Sequence, residues 1–263
     1  MRKTAIVTGG TSGIGLFAAK ELKKRGYTVY TVSRRENGDR DLLHISADIT
    51  NEEDVQRAVT QILQQQGSID LLINCAGFGI SGCVEFTETA DAKRQFDVNF
   101  FGMVNMTRAV LGVMRKQKRG RIVNISSVAA PAAIPFQTYY SCTKAAINDY
   151  TLALANEVRP YGITVCAIMP GDIRTGFTAA RDKSCRGDEE YGGRISRSVA
   201  SMEHDEQHGM SAERAGKYVA RVAAKNSHKP LYAIGFSYKA ICVLLKLLPA
   251  RLANYLVGLL YAK

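Results

Sequence analysis

The sequence predicts an α/β fold in which a doubly wound parallel sheet of seven strands carries helices on both faces, in a single domain. Short apolar segments alternate with segments whose apolar residues recur at helical spacing, which is typical of strand–helix–strand units. The apolar segments are uninterrupted by polar residues, as in parallel strands buried on both faces. No internal repeat or linker breaks the pattern along the 263 residues. One domain is therefore expected.

Each element follows from its own pattern. The seven predicted strands cover residues 4–8, 27–32, 42–47, 69–73, 121–126, 163–168 and 230–234. The predicted helices cover residues 13–25, 52–66, 92–117, 138–158 and 211–224, with Asn51 as the cap of the second. Residues 172–210 are polar and weakly periodic, which favours a mobile flap over packed core.

Composition and charge narrow the functional classes. The net charge is +11, and five of the seven residues from Arg115 to Arg121 are basic. That run has no interleaved aromatic residues and matches no nucleic-acid module, so we expect no nucleic-acid partner. The six cysteines have neither Cys-x-x-Cys nor Cys/His metal spacing, which favours reduced thiols, a cytoplasmic location and no metal. The apolar run after Lys3 is too short for the core of a signal peptide.

A glycine-rich turn follows the first strand and begins a helix. Its spacing is Gly9-x-x-x-Gly13-x-Gly15, and it differs from the Gly-x-Gly-x-x-Gly fingerprint. Glycine lets the backbone approach a pyrophosphate closely, and the free N–H groups at the start of the helix favour its negative charge. The alternative is a strand-to-helix turn that binds no ligand.

The end of the second strand indicates which dinucleotide would bind. A carboxylate there would bond the adenosine ribose of NAD, whereas arginine accommodates the 2′-phosphate of NADP. The sequence has Ser33-Arg34-Arg35, which favours NADP(H) over NAD(H). Asp48, after the third strand, is placed either to meet the adenine edge or to cap the next helix.

These motifs, with those further along the chain, resemble the short-chain dehydrogenase/reductase family over roughly residues 3–235. The further matching segments are Asn74-Cys75-Ala76-Gly77, Asn99, Ser127, Tyr140-x-x-x-Lys144, Pro170-Gly171 and Thr175. The resemblance implies a Rossmann-type fold, with a catalytic domain at 1–235 that includes the flap and a helical extension at 236–263. It implies the cofactor contacts Gly9, Thr11, Ser12, Gly13, Ile14, Gly15, Ser33, Arg34, Arg35, Asp48, Ile49, Asn74, Ala76, Gly77, Tyr140, Lys144, Pro170, Gly171, Ile173 and Thr175. Cys75 stands where the family often has asparagine.

The resemblance also implies four catalytic roles. Tyr140 would be the general acid/base, and Lys144, one helical turn later, would favour its phenolate and hold the nicotinamide ribose. Ser127 would donate a hydrogen bond to the substrate oxygen, and Asn99 would hold a water that relays protons. The expected activity is NADP(H)-dependent interconversion of a secondary alcohol and a ketone.

The substrate is less constrained than the reaction. The stretch 78–82 resembles the 17β-type hydroxysteroid and retinol dehydrogenase branch, and the apolar stretch 128–136 predicts an apolar wall beside Ser127. Both favour a bulky steroid- or lipid-like substrate. A 3-oxoacyl-thioester reductase or a general carbonyl reductase shares the same catalytic motifs. A non-catalytic NADP sensor and a membrane-surface protein are the alternatives from other classes.

Two surfaces are expected to pack against another part of the protein, another subunit or a membrane. By family resemblance the helices at 92–117 and 138–158 would form a homodimer or homotetramer. Their candidate contact residues, some of which would face the sheet instead, are Phe100, Met103, Val110, Ala146, Tyr150 and Leu154. Residues 236–263 are too polar to span a bilayer, and Pro249 should divide them into two helices. These helices would cover the protein's own body, a neighbouring subunit or a membrane surface.

Overall fold

The computed structural model describes residues 2–225 and 227–262. Its strands are β1 (Thr4–Thr8), β2 (Thr28–Ser33), β3 (Leu43–Ser46), β4 (Leu71–Asn74), β5 (Ile80–Ser81), β6 (Gly120–Ile125), β7 (Ile163–Met169), β8 (Ile173–Arg174), β9 (Asp182–Lys183), β10 (Met210–Ser211) and β11 (Leu231–Ala233). Its α-helices are α1 (Gly13–Lys24), α2 (Glu52–Gln66), α3 (Thr89–Phe96), α4 (Gly102–Gln117), α5 (Ala129–Ala132), α6 (Thr138–Val158), α7 (Arg194–His208), α8 (Ala212–Ala223), α9 (Phe236–Leu247) and α10 (Ala250–Tyr261). A π-helical turn at Asp97–Phe101 joins α3 to α4, and a 3₁₀ turn at Arg159–Tyr161 follows α6.

Seven strands form one sheet in the order β11-β7-β6-β4-β1-β2-β3, and every neighbouring pair is parallel. The strand order reverses between β1 and β4. The chain moves outward in one direction from β1 to β3 and in the other from β4 to β11. A doubly wound parallel sheet binds ligands at the carboxyl ends of the strands beside this reversal. The predicted fold class is confirmed.

Apolar residues cover both faces of the sheet. On one face, α1 and α8 pack on the strands through residues such as Leu22 and Val219. On the other face, α2, α4 and α6 pack on the strands through Ile62, Met106 and Leu154. The two layers leave both faces of the central strands dry, which explains why the strands have no alternating polar pattern.

Three segments differ from or refine the expectation. The predicted single helix at 92–117 is interrupted by the π-helical turn, so α3 and α4 are separate elements. The polar stretch 172–210, expected to be a flap, contains the 15-residue helix α7. Ile195, Val199 and Met202 of α7 are buried, so the stretch carries a packed apolar face among its polar residues. The C-terminal segment forms two helices separated at Pro249, as predicted.

The structure divides the candidate contact residues of α4 and α6. Met103, Val110 and Leu154 are buried, and Val110 and Leu154 belong to the core layer on the sheet. Phe100 and Tyr150 meet edge to face, with ring centroids 5.9 Å apart, at the partly exposed boundary of the two helices.

A buried chain of polar side chains crosses the middle of the sheet. Asn74 Nδ2 donates to Asn124 Oδ1 at 2.9 Å and to Thr107 Oγ1 at 3.1 Å. Asn124 Nδ2 donates in turn to Thr151 Oγ1 at 2.9 Å. These bonds join the end of β4 to β6 and to helices α4 and α6. Because buried polar groups are costly when unpaired, the chain fixes how the two helices sit on the sheet.

Replacement of Asn124 tests this link. Asn124→Ala should lower the free energy of unfolding by about 1–3 kcal/mol, because the buried Asn74 Nδ2 and Thr151 Oγ1 each lose a hydrogen-bond partner. Denaturant unfolding measures the effect, and Asn156→Ala on the exposed face of α6 is the matched control. Equal stability of the two variants would show that the buried chain contributes little.

Candidate active site

A cavity of about 360 Å³ opens at the carboxyl edge of the sheet, beside the point where the strand order reverses. The turn after β1, the segment after β4, the end of β6 and the start of α6 surround its inner part. Its predicted site residues are Gly9, Ser12, Gly13, Ile14, Gly15, Arg35, Ala76, Gly77, Ser127, Tyr140, Lys144, Pro170, Gly171, Ile173 and Thr175. Residues from six separate segments of the sequence therefore meet at one place.

The glycine turn leaves room for a ligand at the start of α1. Gly9 has φ +63°, and an added Cβ would lie 2.9 Å from Ala76 Cα, so only glycine fits between the two strands. A Cβ on Gly15 would lie 2.5 Å from Gly9 O. Ser12 makes no side-chain cap, and the first turn of α1 has no acidic residue. The free N–H groups of this turn suit a phosphate, so the residues present fit a dinucleotide.

The basic residues after β2 lie at one end of this turn. Arg34 and Arg35 are exposed, and Arg35 Nη1 donates to Thr11 O at 3.5 Å. Ser33 Oγ accepts from Arg35 N at 3.4 Å. His44 Nε2 is 2.8 Å from Arg35 O, which holds the loop from the neighbouring strand β3. The loop is thus a preformed cationic corner beside the helix terminus.

Three predicted cofactor residues have structural contacts instead of cavity positions. Asp48 Oδ1 accepts from the backbone and hydroxyl of Thr50, and Asn51 caps α2 by accepting from Glu53 N and Asp54 N. Ile49 is buried against Gly102. Asn74 belongs to the polar chain inside the sheet. For the part of the chain that the structure describes, none of Asp48, Ile49 and Asn74 lines the cavity, and neither do Thr11, Ser33 and Arg34 of the glycine turn and the basic loop.

Lys144 is held inside the protein by two reciprocal bonds. Its Nζ donates to Ile125 O at 2.9 Å, and Ser126 Oγ donates to Lys144 O at 3.0 Å. The side chain is 5% exposed, and its Nζ lies 5.5 Å from the centroid of the Tyr140 ring. Burial lowers the pKa of Lys144 to about 8. The ammonium lies near the phenol one turn earlier, but burial dominates the pKa of Tyr140, so the phenolate is not favoured in this site, contrary to the expectation from the sequence.

Tyr140 lines the cavity next to Ser127. Burial raises the pKa of its phenol to about 12, while a hydrogen bond from Ser127 acts in the opposite direction. The nearby Glu206 carboxylate adds to the rise in this pKa. Ser127 Oγ also accepts from Ala129 N at 3.1 Å, which fixes the hydroxyl at the end of β6. The arrangement holds Tyr140 as a neutral phenol able to donate its proton.

Asn99 sits in the π-helical turn and anchors the segment after β4. Its Oδ1 accepts from Phe78 N at 2.9 Å, and its Nδ2 donates to Phe78 O at 2.9 Å and to Thr143 Oγ1 at 3.3 Å. An added Cβ on Gly77 would lie 3.0 Å from Asn99 Oδ1 and 3.8 Å from Lys144 Nζ. Asn99 thus holds the wall of the cavity within reach of Lys144, with its side-chain amide already bonded.

The outer part of the cavity is built from segments that carried no motif. Phe177 stacks near Tyr140 with ring centroids 5.7 Å apart, and Met202 of α7 and Tyr261 of α10 also line the cavity. Glu206 of α7 lines it too and pairs with the buried Arg181. No spacing in the sequence marks these residues, because segments far apart in the chain bring them together.

The apolar loop between β6 and α6 is held in an unusual conformation. Ala133 and Phe136 have φ of +42° and +57°, a region that residues with a side chain rarely occupy. Between them Ile134 lines the cavity, and Ser141 Oγ accepts from Ile134 N at 3.1 Å. The predicted apolar wall beside Ser127 therefore exists, and its shape is fixed by backbone as well as side chains.

Comparison with known proteins agrees with this geometry. Residues 3–186 match the protein family described as short chain dehydrogenase. A 3-ketodihydrosphingosine reductase of Bacteroides thetaiotaomicron is 39% identical over 84% of each chain. A crystal structure of a short-chain dehydrogenase from Streptomyces avermitilis superposes with a TM-score of 0.83, at 27% identity, over 97% of this chain and 96% of that one. A structure titled ElxO with NADP bound has a TM-score of 0.76, at 27% identity, over 91% of this chain and 100% of that one.

The buried Lys144 makes a signed prediction about stability. Its lowered pKa means that the folded chain binds fewer protons than the unfolded chain between about pH 8 and pH 10.5, so stability rises with pH across that window. Below pH 8 the buried ammonium stays charged, so its full desolvation cost lowers the stability of the folded chain. Lys144→Met should therefore stabilise the ligand-free protein by roughly 1–3 kcal/mol at pH 7, the desolvation cost less one hydrogen bond, and by much less at pH 10.5.

Denaturant unfolding at the two pH values is the measurement. The exposed Lys93→Met in α3 is the control and should change stability little at either pH. A Lys144→Met protein that is less stable than the unaltered one at pH 7 would contradict the inferred burial of the charge.

Proposed function

We propose a substrate for this chain, which belongs to the short-chain dehydrogenase family and is an oxidoreductase acting on hydroxyl and keto groups. From that membership we propose that it uses NADPH to reduce a ketone on a long-chain, lipid-derived molecule to a secondary alcohol. The substrate class closest to this description is a 3-keto sphingoid base. The hydroxysteroid alternative has a weaker basis, because it rests on the short resemblance at residues 78–82.

The observation that carries this proposal is the likeness, at 39% identity over 84% of both chains, to a 3-ketodihydrosphingosine reductase. The cavity is compatible with such a substrate. Val128, Ile134, Phe177, Met202 and Tyr261 line its outer part and suit an alkyl chain. Glu206 lies among them, and its carboxylate would favour a positively charged amino group beside the ketone.

The residues of the inner cavity would hold the dinucleotide. The N-terminus of α1 would bond its pyrophosphate, and Arg34 and Arg35 would bond the 2′-phosphate. NADPH supplies the hydride that the substrate carbon receives. The Arg35 contact with Thr11 joins the basic loop to the glycine turn, so both phosphate-binding elements are already at the same end of the cavity.

The protein residues manage the proton. Tyr140 donates its phenolic proton to the carbonyl oxygen as that oxygen gains negative charge, and Ser127 donates a hydrogen bond to the same oxygen. The raised pKa of Tyr140 keeps this proton available at neutral pH. The ammonium of Lys144 stabilises the phenolate that remains until it is reprotonated. Asn99 supports this path by holding the backbone of Phe78 next to Lys144.

Association and location are proposed on the same basis. Phe101 on the π-helical turn is exposed and contacts Phe100, which in turn contacts Tyr150 of α6, and this aromatic surface suits a homodimer built on these helices. All six cysteines are free, which suits the reducing cytoplasm.

A substrate comparison tests the function. With NADPH we expect faster reduction of 3-ketodihydrosphingosine than of acetoacetyl thioesters or ketosteroids, followed by nicotinamide absorbance. Tyr140→Phe should lower kcat at least about 100-fold with NADPH affinity retained, because only the proton donor is lost. Tyr139→Phe is the matched control. A marked preference for the thioester would replace the proposed substrate, and an active Tyr140→Phe would overturn the acid assignment.

Cofactor choice is tested at the basic loop. Arg34→Ala and Arg35→Ala should each weaken NADPH binding by about 1.5–3 kcal/mol, the cost of a lost charged hydrogen bond, while NADH binding changes little. Arg57→Ala on the exposed side of α2 is the control. Fluorescence titration gives both affinities. Equal affinity of the unaltered protein for NADPH and NADH would remove the NADP preference.

A further inference from the structure

The two C-terminal helices carry most of the exposed apolar surface of the described residues. Among the large hydrophobic side chains there that are exposed, ten lie on α9 and α10 and five elsewhere. We call these ten the C-terminal apolar face: Phe236, Ile241, Val243, Leu244, Leu247, Leu252, Tyr255, Leu256, Leu259 and Leu260. Phe236 is 89% exposed and Leu247 is 78% exposed. A concentration of exposed apolar side chains on two neighbouring helices of the sequence is a sign of a binding surface.

The charges around the face have a single sign. From Phe236 to the C-terminus the sequence contains no aspartate or glutamate. Lys239, Lys246 and Arg251 are exposed on the same two helices. The whole chain has a net charge of +11, so long-range attraction to an anionic surface acts in the same direction as these local charges.

The face belongs to helices that are fixed to the body next to the cavity. The Tyr238 hydroxyl donates to the Asp172 carboxylate, and a Cβ on Gly171 would overlap the Tyr238 ring. Cys242 is buried beside Met169, and Tyr261 lines the cavity itself. One side of the helix pair therefore covers the outer end of the cavity, while the other side is the apolar face.

We propose that the C-terminal apolar face binds the surface of an anionic phospholipid bilayer, with α9 and α10 lying in the interface and the cavity opening next to them. Apolar side chains among lysine and arginine, with no acidic residue, are what such a surface binds. Neither helix, nor any other in the described part of the chain, is long and apolar enough to cross a membrane. Binding therefore takes place at the surface.

A second copy of the chain fits the face less well. A symmetric contact through it would bring Lys239, Lys246 and Arg251 close to their own copies with no acidic partner on either helix pair. Like charges placed together oppose such a contact, whereas anionic headgroups neutralise them. Binding to the bilayer stands independently of turnover. Its use in collecting a lipid substrate rests on the proposed function.

The test measures sedimentation of the full chain with vesicles. We expect binding to phosphatidylcholine vesicles that contain phosphatidylglycerol, and much weaker binding to phosphatidylcholine alone or at high salt. Val243 and Leu247 lie one turn apart and are exposed, so Val243→Ser with Leu247→Ser removes apolar area without opening the core. That double variant should bind anionic vesicles at least about tenfold more weakly. Lys239→Gln with Lys246→Gln should weaken binding about fivefold for each residue.

The control is Leu43→Ser, an exposed leucine on the edge strand β3, which should bind as the unaltered protein does. Both serine variants should reduce a short, water-soluble ketone at the unaltered rate, which shows that they are folded. The proposal is overturned if the unaltered protein ignores anionic vesicles at low salt, or if the double variant binds them as well. It is also overturned if the double variant dissociates a dimer and vesicle binding is absent. Vesicle binding without reduction of any ketone would remove the proposed function and leave the surface proposal standing.

Discussion

The site depends on the pair of bonds that fastens α6 to the end of β6. Lys144 Nζ donates to Ile125 O, and Ser126 Oγ donates back to Lys144 O, so helix and strand are tied in both directions. With that connection fixed, Tyr140 one turn earlier on α6 lies next to Ser127, which follows the end of β6. The same connection takes an ammonium out of water. The position of Tyr140 and the burial of the Lys144 ammonium therefore have a single origin.

Most of the fold could be predicted from the sequence because its signals are local. Buried parallel strands are continuous apolar runs, and Asn51 and Pro249 mark helix boundaries by their own chemistry. The interruption of the predicted helix at 92–117 was missed because a π-helical turn adds a residue without changing composition. Helix α7 was missed because only three of its apolar residues face inward, among many charges.

Most of the lining of the inner cavity could also be predicted from the sequence, because its residues lie in turns that directly follow strands or, like Tyr140 and Lys144, one helical turn apart on α6. Residues whose polar groups form hydrogen bonds inside the fold were harder to distinguish from residues that contact a ligand. Asn74 follows a strand as a ligand contact would, yet its amide bonds Asn124 and Thr107 inside the sheet. The outer cavity depends on where α7 and α10 pack, so Glu206, Met202 and Tyr261 had no local signal. The shape of the outer cavity depends on tertiary contacts. The sequence motifs therefore predict the reaction class but not the substrate.

The conformations of Ala133 and Phe136 bear on how this protein can change over evolution. Non-glycine residues at positive φ cost about 1 kcal/mol or more each. The loop that shapes the apolar wall therefore lowers the stability of the fold. Random substitutions that relax such a loop are easily accepted by the fold, because they release strain, and each one reshapes the pocket. New substrate ranges would therefore arise here first, whereas a substitution of Lys144 or in the glycine turn would alter the inner site itself.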